Sequence, residues 1–141
     1  MFEKILLAVD LNQSKGKRRT LDAACQLAQV NNAELHVLNV VPDSGMAMVG
    51  AALGPELAQK ILDEAEAQLK SWAAENLPDG AAADLHVAKG NIYDTIIRTA
   101  NEIGADAIVV GAHRPELRDY LVGPNAARVV RHANQSVFVI R

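Results

Sequence analysis

The chain has 141 residues, of which 50% are hydrophobic and 22% charged, and its formal net charge is −3. This size and composition are ordinary for a globular protein, so we expect residues 1–141 to form a single domain. A slightly acidic chain argues against a general nucleic-acid binder and against a protein held on anionic membranes, because both depend on a basic surface.

Apolar and amphipathic segments alternate through the first half of the chain. Residues 2–9 form a nearly continuous apolar run that ends at Asp10, which is typical of a strand buried on both faces. Apolar residues then recur at helical spacing after Ser14, a candidate N-cap. The predicted elements of this half are a strand over residues 2–9, a helix over 14–31, a strand over 35–41 and a helix from Pro55 to about Leu77.

The second half continues the alternation. Asn91 is a candidate N-cap and Gly104 a candidate C-terminal stop for the helix between them. The predicted elements are a strand over residues 84–88, a helix over 92–103, a strand over 107–110, a helix over 123–132 and a strand over 136–140. Strict alternation of strand and helix predicts an α/β fold with a doubly wound, parallel five-stranded sheet and helices on both faces.

The segment after the fourth predicted strand indicates a site for an anion. The strand ends at Gly111, a polar loop with His113 and Arg114 follows, and Gly123 and Pro124 open the next helix. Such an order gathers free backbone N–H groups and the positive end of a helix dipole around one spot, which suits a phosphate. The pattern favours a nucleotide-sized ligand over any particular reaction.

Motifs of dedicated catalysis and of membrane attachment are missing from the sequence. We find no phosphate-binding P-loop, no Gly-x-Gly-x-x-Gly after the first strand and no nucleophile elbow. His36 and His86 are expected in different parts of the sheet, and no histidine pair has metal-ligand spacing, so no metal site is predicted. Cys25 is expected to be a helix core residue. No apolar run approaches the roughly 20 residues of a membrane span and no signal peptide is evident, so we predict a cytoplasmic protein without direct membrane insertion.

Several sequence features resemble the universal stress protein family over essentially the whole chain. They are Asp10 after the first strand, Val40-Val41-Pro42 at the end of the second, Gly111-Ala112-His113-Arg114-Pro115 after the fourth, Gly123-Pro124-Asn125-Ala126 at a helix start, and the closing Ser-Val-Phe-Val-Ile-Arg. The Gly-x-His-Arg-Pro segment is similar to that of the nucleotide-binding subgroup. The resemblance implies strand order 3-2-1-4-5 in an adenine nucleotide alpha-hydrolase-like fold, and binding of ATP, or of AMP or ADP, with or without Mg²⁺.

The resemblance also implies a homodimer that is formed through the C-terminal strand, from Val137 to Ile140. An apolar strand at the edge of a sheet invites antiparallel pairing with its own copy, which agrees with that implication. An unidentified protein partner is a further expectation for a regulatory protein of this family.

In the implied strand order, winding reverses between strands one and four, and ligands of open α/β sheets lie at such a point. The residues expected to contact the nucleotide are Asp10, Leu11, Val40, Val41, Gly90, Gly111, His113, Arg114, Gly123, Pro124, Asn125 and Ala126. Asp10 would accept a hydrogen bond from the adenine or the ribose; its alternative role is to start a turn. Backbone groups at Val40 and Val41 would read the adenine edge, and Gly90 would let the backbone approach the ribose.

Gly111 and the N–H groups from Asn125 onward would hold the phosphates. The chain departs from the family's ATP-binding signature at three points. The signature has glycine where this chain has Arg114, and serine or threonine where it has Pro124. Its second and third glycines are separated by nine residues, whereas Arg114 and Gly123 are separated by eight. Proline offers neither an N–H group nor a hydroxyl, although it suits the first turn of a helix. Three functions therefore stay open: an adenine-nucleotide-binding regulator with at most slow ATP hydrolysis or autophosphorylation, a dimeric protein-interaction module that has lost nucleotide binding, and an ATP-hydrolysing or nucleotide-transferring enzyme.

Overall fold

The computed structural model describes residues 1–11, 17–42, 54–112 and 124–141. Its elements are β1 (Lys4–Val9), α1 (Lys17–Asn31), β2 (Glu34–Pro42), α2 (Pro55–Asn76), β3 (Asp84–Gly90), α3 (Ile92–Ile103), β4 (Ala107–Gly111), α4 (Pro124–His132) and β5 (Ser136–Ile140). The predicted alternation of strands and helices is confirmed, and the predicted strands differ from the observed ones by at most two residues at either end. The candidate cap Ser14 lies outside the described residues.

The five strands form one sheet in the order β3-β2-β1-β4-β5, with parallel pairing throughout. The predicted fold class and strand order are therefore confirmed. The chain adds β2 and β3 on one side of β1 and then returns to place β4 and β5 on the other side. This reversal makes the boundary between β1 and β4 the switch point of the sheet.

The central strand β1 is hydrophobic at nearly every position because helices cover both faces of the sheet. Ile5 and Leu7 pack with residues of α1 and α2 on one face, whereas Leu6 packs with residues of α3 and α4 on the other. All three side chains are fully buried. Successive side chains of a strand point to opposite faces, so a continuous apolar run is what a doubly covered strand requires.

Glycine ends α3 as the sequence predicts. Gly104 follows the helix in the left-handed conformation, at φ 73° and ψ 33°, and its N–H group donates to the carbonyls of Ala100 and Asn101. Asn91 stands at the N-cap position, but its side chain makes no capping hydrogen bond, so the predicted side-chain cap is wrong in that respect. Within the described residues, no helix is both long and apolar enough to cross a membrane.

An aspartate joins the two strands of the switch point at their amino ends. The Asp106 carboxylate accepts hydrogen bonds from the backbone N–H groups of Glu3 at 2.9 Å and Lys4 at 3.1 Å. The Asp106 N–H group in turn donates to the Lys4 carbonyl at 2.9 Å. Because Asp106 immediately precedes β4, these bonds hold the start of β1 beside the start of β4.

Candidate functional site

The carboxyl end of the sheet has a notch where β1 and β4 stop pairing before either strand ends, and where β2 runs beyond the last residue of β1. Sheet pairing of β1 with β2 ends at Val9 and Asn39, whereas pairing of β2 with β3 continues to Pro42 and Gly90. On the other side, β1 pairs with β4 only as far as Leu7 and Val109, whereas β4 pairs with β5 to Gly111. The described residues therefore leave a gap in the sheet ladder between the ends of β2 and β4.

We call the residues around this notch the rim. It consists of Asp10, Leu11, Val40, Val41, Gly90, Gly111, Pro124, Asn125 and Ala126. Asp10 and Leu11 follow β1 directly and are half-buried, Val40 is buried and Val41 half-buried. Parallel strands bring all their carboxyl ends to one edge, so residues separated by up to 116 positions in the chain share this rim.

Gly90 occupies a place on the rim that no other residue fits. Its φ of 146° lies in a region that L side chains rarely adopt, and a Cβ atom there would stand 2.5 Å from Thr95 Oγ1. Thr95 is fully buried in the first turns of α3, and its hydroxyl has no hydrogen-bond partner. The end of β3 is therefore bare backbone lying against the start of α3.

The absence of a side chain at Gly111 lets a residue of α1 pack closely against the end of β4. A Cβ atom at this position would lie 3.2 Å from Oγ1 of Thr20, a buried residue of α1. The next residue, Ala112, donates its N–H to the Ile140 carbonyl at 2.7 Å. The end of β4 is thus packed tightly between the start of α1 and the end of β5.

The start of α4 completes the rim. Pro124 is exposed, Asn125 is half-buried, and Ala126 is 5% exposed and packs in the same core cluster as Val110 of β4. The first turn of α4 therefore lies against the end of β4. Proline suits a first turn, where its fixed φ costs nothing and its missing N–H group has no partner within the helix.

Three of the predicted site residues, His113, Arg114 and Gly123, lie outside the described residues. All the others belong to the rim at the carboxyl end of the sheet. Their contact with a nucleotide stays a prediction. Cys25, which was expected in the helix core, is half-buried on α1, and burial followed by the charge of Asp22 raises the pKa of its thiol.

A second group of polar side chains lies at the opposite end of the sheet, and sequence analysis missed it. The rings of His36 in β2 and His86 in β3 lie edge to edge and nearly parallel, at 20° with centroids 5.1 Å apart, and His36 Nδ1 is 2.8 Å from His86 Nε2. The expectation that they lie in different parts of the sheet is wrong, because β2 and β3 are adjacent and in parallel register.

With the carboxylates of Glu34 and Asp84, these histidines form what we call the histidine cluster. The starts of β2 and β3 share a sequence pattern, Glu-Leu-His-Val from Glu34 and Asp-Leu-His-Val from Asp84. Combined with the strand order, that repeat would have predicted the meeting of the four side chains.

Hydrogen bonding, charge and burial lower the pKa values of Glu34 and His86. The hydrogen bond from His36 to Glu34 holds the pKa of that carboxyl below its ordinary value, and the charge of Lys4 acts in the same direction. Burial lowers the pKa of His86, with a smaller contribution from the charge of His36, while Asp84 opposes both.

Comparison with known proteins decides the family. Residues 1–141 match the model of the Universal stress protein family. The chain belongs to this family. It is 31% identical over 143 residues to universal stress protein G of Shigella flexneri, with 100% of each chain covered.

Two solved structures share the fold. Universal stress protein UspA of Lactobacillus plantarum is 27% identical, with a TM-score of 0.68 and coverage of 99% of this chain and 97% of that one. The universal stress protein of Archaeoglobus fulgidus in complex with dAMP is 24% identical, with a TM-score of 0.63 and coverage of 99% and 98%. These likenesses support the adenine nucleotide alpha-hydrolase-like fold.

Proposed function

We propose that this universal stress protein is a cytoplasmic, homodimeric regulator that binds an adenine nucleotide in the notch at the carboxyl end of its sheet. The observation that carries the proposal is the opening of the sheet at this end: β1 and β4 stop pairing at Leu7 and Val109, β2 continues beyond the end of β1, and β3 and β4 end in glycine. The backbone at these two glycines carries no side-chain bulk.

The adenine edge would meet the backbone of β2. Beyond Asn39, β2 is paired with β3 but no longer with β1, so the β1 side of Val40 and Val41 has no strand partner in the described part of the chain. A purine edge reads such a backbone by accepting from an N–H group and donating to a carbonyl. Asp10, which immediately follows β1, would accept a hydrogen bond from the ribose or the adenine amino group.

The phosphate would lie toward α4, whose first turn packs on the end of β4. The positive pole of this nine-residue helix favours an anion, and its basic last turn, with Arg131 and His132, suits the negative pole. Pro124 removes one donor from the first turn, and we expect the phosphate to be held by backbone N–H groups from Asn125 onward. The Archaeoglobus fulgidus relative in complex with dAMP supports a nucleotide with a single phosphate as a ligand of this fold.

Nucleotide binding would act by shifting the population of conformations. A ligand stabilises a conformation only by its differential affinity for it, so the bound nucleotide would favour whichever arrangement of the rim closes on it. A protein partner that distinguishes the two arrangements would then read the nucleotide state. We propose no dedicated catalytic role for the site.

The proposal is tested by calorimetric titration of the purified chain with ATP, ADP, AMP and GTP, with and without Mg²⁺. We expect adenine nucleotides to bind, GTP to bind more weakly, and Asp10→Ala to reduce affinity at least about tenfold, as expected for loss of a hydrogen bond to a desolvated group. Asp79→Ala is the matched control, since it removes the same charge from an exposed residue beyond α2.

Pro124 favours a second candidate function, a dimeric protein-interaction module without nucleotide. The loss of a phosphate donor at the start of α4 is the observation behind it. Absence of binding heat and of thermal stabilisation with every nucleotide would refute the first function and support the second. Equal weakening by Asp10→Ala and Asp79→Ala would show that binding, if present, does not use the notch.

A further inference from the structure

We propose that Glu34, His36 and Asp84 form a binding site for a divalent transition-metal ion of the zinc type, at the end of the sheet opposite the notch. These residues begin β2 and β3, whereas the rim residues end the strands. The site is independent of nucleotide binding and uses different chemistry.

The distances between the donor atoms match those in a tetrahedral site. His36 Nε2 is 3.3 Å from Glu34 Oε2 and 3.6 Å from Asp84 Oδ2, and the three ligand atoms lie within 4.8 Å of one another. Zinc binds nitrogen and oxygen at about 2.0–2.2 Å, so adjacent ligands of a tetrahedral ion are separated by roughly 3.4 Å. An ion can therefore enter between these atoms with only small movements of the carboxylates.

The site combines one fixed ligand with two adaptable ones. The His36 side chain is 9% exposed, whereas the side chains of Glu34 and Asp84 are 63% and 71% exposed. The imidazole fixes the position of the ion, and the exposed carboxylates can rotate to meet it. Because both carboxylates face solvent, water is available as the fourth ligand, which is the pattern of an open zinc site.

His86 is placed to orient the ligating imidazole. Coordination through His36 Nε2 requires the proton of the neutral ring to be on Nδ1, and His86 Nε2 lies 2.8 Å from that atom. The Nδ1–H group of His36 would therefore donate to His86, just as many metal-bound histidines donate their second N–H group to a fixed acceptor. The two rings are nearly parallel, at 20° to each other, and lie edge to edge, which is the arrangement that an in-plane N–H···N bond requires.

The donor set selects among metals. An imidazole with two carboxylates suits Zn²⁺, Co²⁺ or Ni²⁺, whereas Mg²⁺ and Ca²⁺ prefer oxygen ligands alone. The Lys4 ammonium is 3.6 Å from Glu34 Oε2 and also donates to the Ile103 carbonyl at 2.9 Å. A metal ion must displace this competing cation, so we expect micromolar affinity rather than the tighter binding of a closed structural site.

The test is titration of the metal-stripped full chain with Zn²⁺ by calorimetry, together with thermal unfolding with and without the metal. We expect one Zn²⁺ per chain and a rise in Tm of about 9 °C at a hundredfold excess over Kd, because the ion binds the folded chain alone. Glu34→Gln and Asp84→Asn should each weaken binding at least about tenfold, which is the range for residues of a metal site.

Three controls separate this site from incidental binding. Glu66→Gln changes an exposed carboxylate of α2, and His132→Gln removes an exposed histidine of α4; both should leave zinc affinity unchanged. The far-ultraviolet circular dichroism of each variant should match that of the unsubstituted chain. Absence of zinc binding in the folded chain, or equal affinity in Glu34→Gln, Asp84→Asn and Glu66→Gln, overturns the proposal. Neither outcome bears on the notch, whose ligand is measured separately.

Discussion

At the scale of single residues, Asp106 shows how one carboxylate aligns two strands that are distant in sequence. Its two oxygens accept from consecutive backbone N–H groups at the start of β1, 103 and 102 positions away along the chain. Hydrogen bonds from Glu3 and Lys4 favour the ionised carboxylate, and so the pKa of Asp106 is lowered in the folded chain. Stability that depends on this alignment must therefore depend on pH.

The sign of that dependence follows from the lowered pKa. A carboxyl group that titrates lower in the folded than in the unfolded chain contributes its full stabilisation above an unfolded pKa of about 3.9. The contribution is lost as pH falls through the lower folded value. We predict that Asp106→Asn reduces the free energy of unfolding by about 1 kcal/mol at pH 7, because the amide replaces one acceptor with a donor that faces an N–H group.

The measurement is urea unfolding of both proteins at pH 7, 5 and 3.5. The difference between them should be constant from pH 7 to 5 and should shrink below about pH 4, where the carboxylate is protonated. Asp79→Asn, at an exposed position, should differ little from the unsubstituted chain at any of these values. A difference that grows on acidification would contradict the assigned role of Asp106.

At the scale of elements, β5 combines apolar composition with a position at the edge of the sheet. It is paired only with β4 in the described structure, and Val139 is 38% exposed. Val130 of α4 is 54% exposed and lines, together with Val139 and Ala112, a surface depression of about 570 Å³. Arg131 and Arg141 also line this depression. An unpaired apolar edge beside exposed valines favours association with a second copy.

We predict that Val139→Lys converts a homodimer to a monomer, because a charged side chain in the middle of the edge strand would be buried against its symmetry mate. Light scattering coupled to gel filtration at micromolar concentration measures the change. Val30→Lys is the matched control, since Val30 is 84% exposed on α1, away from β5. A monomeric unsubstituted chain, or a Val139→Lys variant that stays dimeric, would contradict the proposed interface.

Sequence patterns predict elements well because burial imposes local periodicities. The apolar run of β1 and the Gly104 stop of α3 are local signals, and both agree with the structure. The meeting of His36 with His86 is not local, because it depends on which strands are neighbours and on their register. The Asp106 bonds to the start of β1 are likewise tertiary. The rim was predictable only because the family resemblance supplied the strand order that periodicity leaves open.

At the scale of the whole molecule, a parallel sheet gives two chemically different ends. The carboxyl end presents glycine backbone and the start of α4, which suit a nucleotide, whereas the amino end presents the acidic and imidazole groups of the histidine cluster. β2 connects them: its residues His36 and Val40 are four positions apart, so at about 3.3 Å per residue the two proposed sites are separated by roughly 13 Å along the strand. Each site therefore has its own surroundings, and β2 and β3 form a well-paired connection between them.

Separation of this kind predicts additive stabilisation. Perturbations more than about 10 Å apart with no shared partners add within about 0.5 kcal/mol, and neither proposed ligand touches a residue of the other site. Unfolding free energies measured with AMP, with Zn²⁺, with both and with neither should therefore close a thermodynamic cycle with no coupling beyond that limit. Glu34→Gln should remove the zinc contribution and leave that of AMP intact, while Asp10→Ala should do the reverse. A larger coupling would mean that β2 transmits a conformational change from one end of the sheet to the other, which would make the metal a regulator of nucleotide binding.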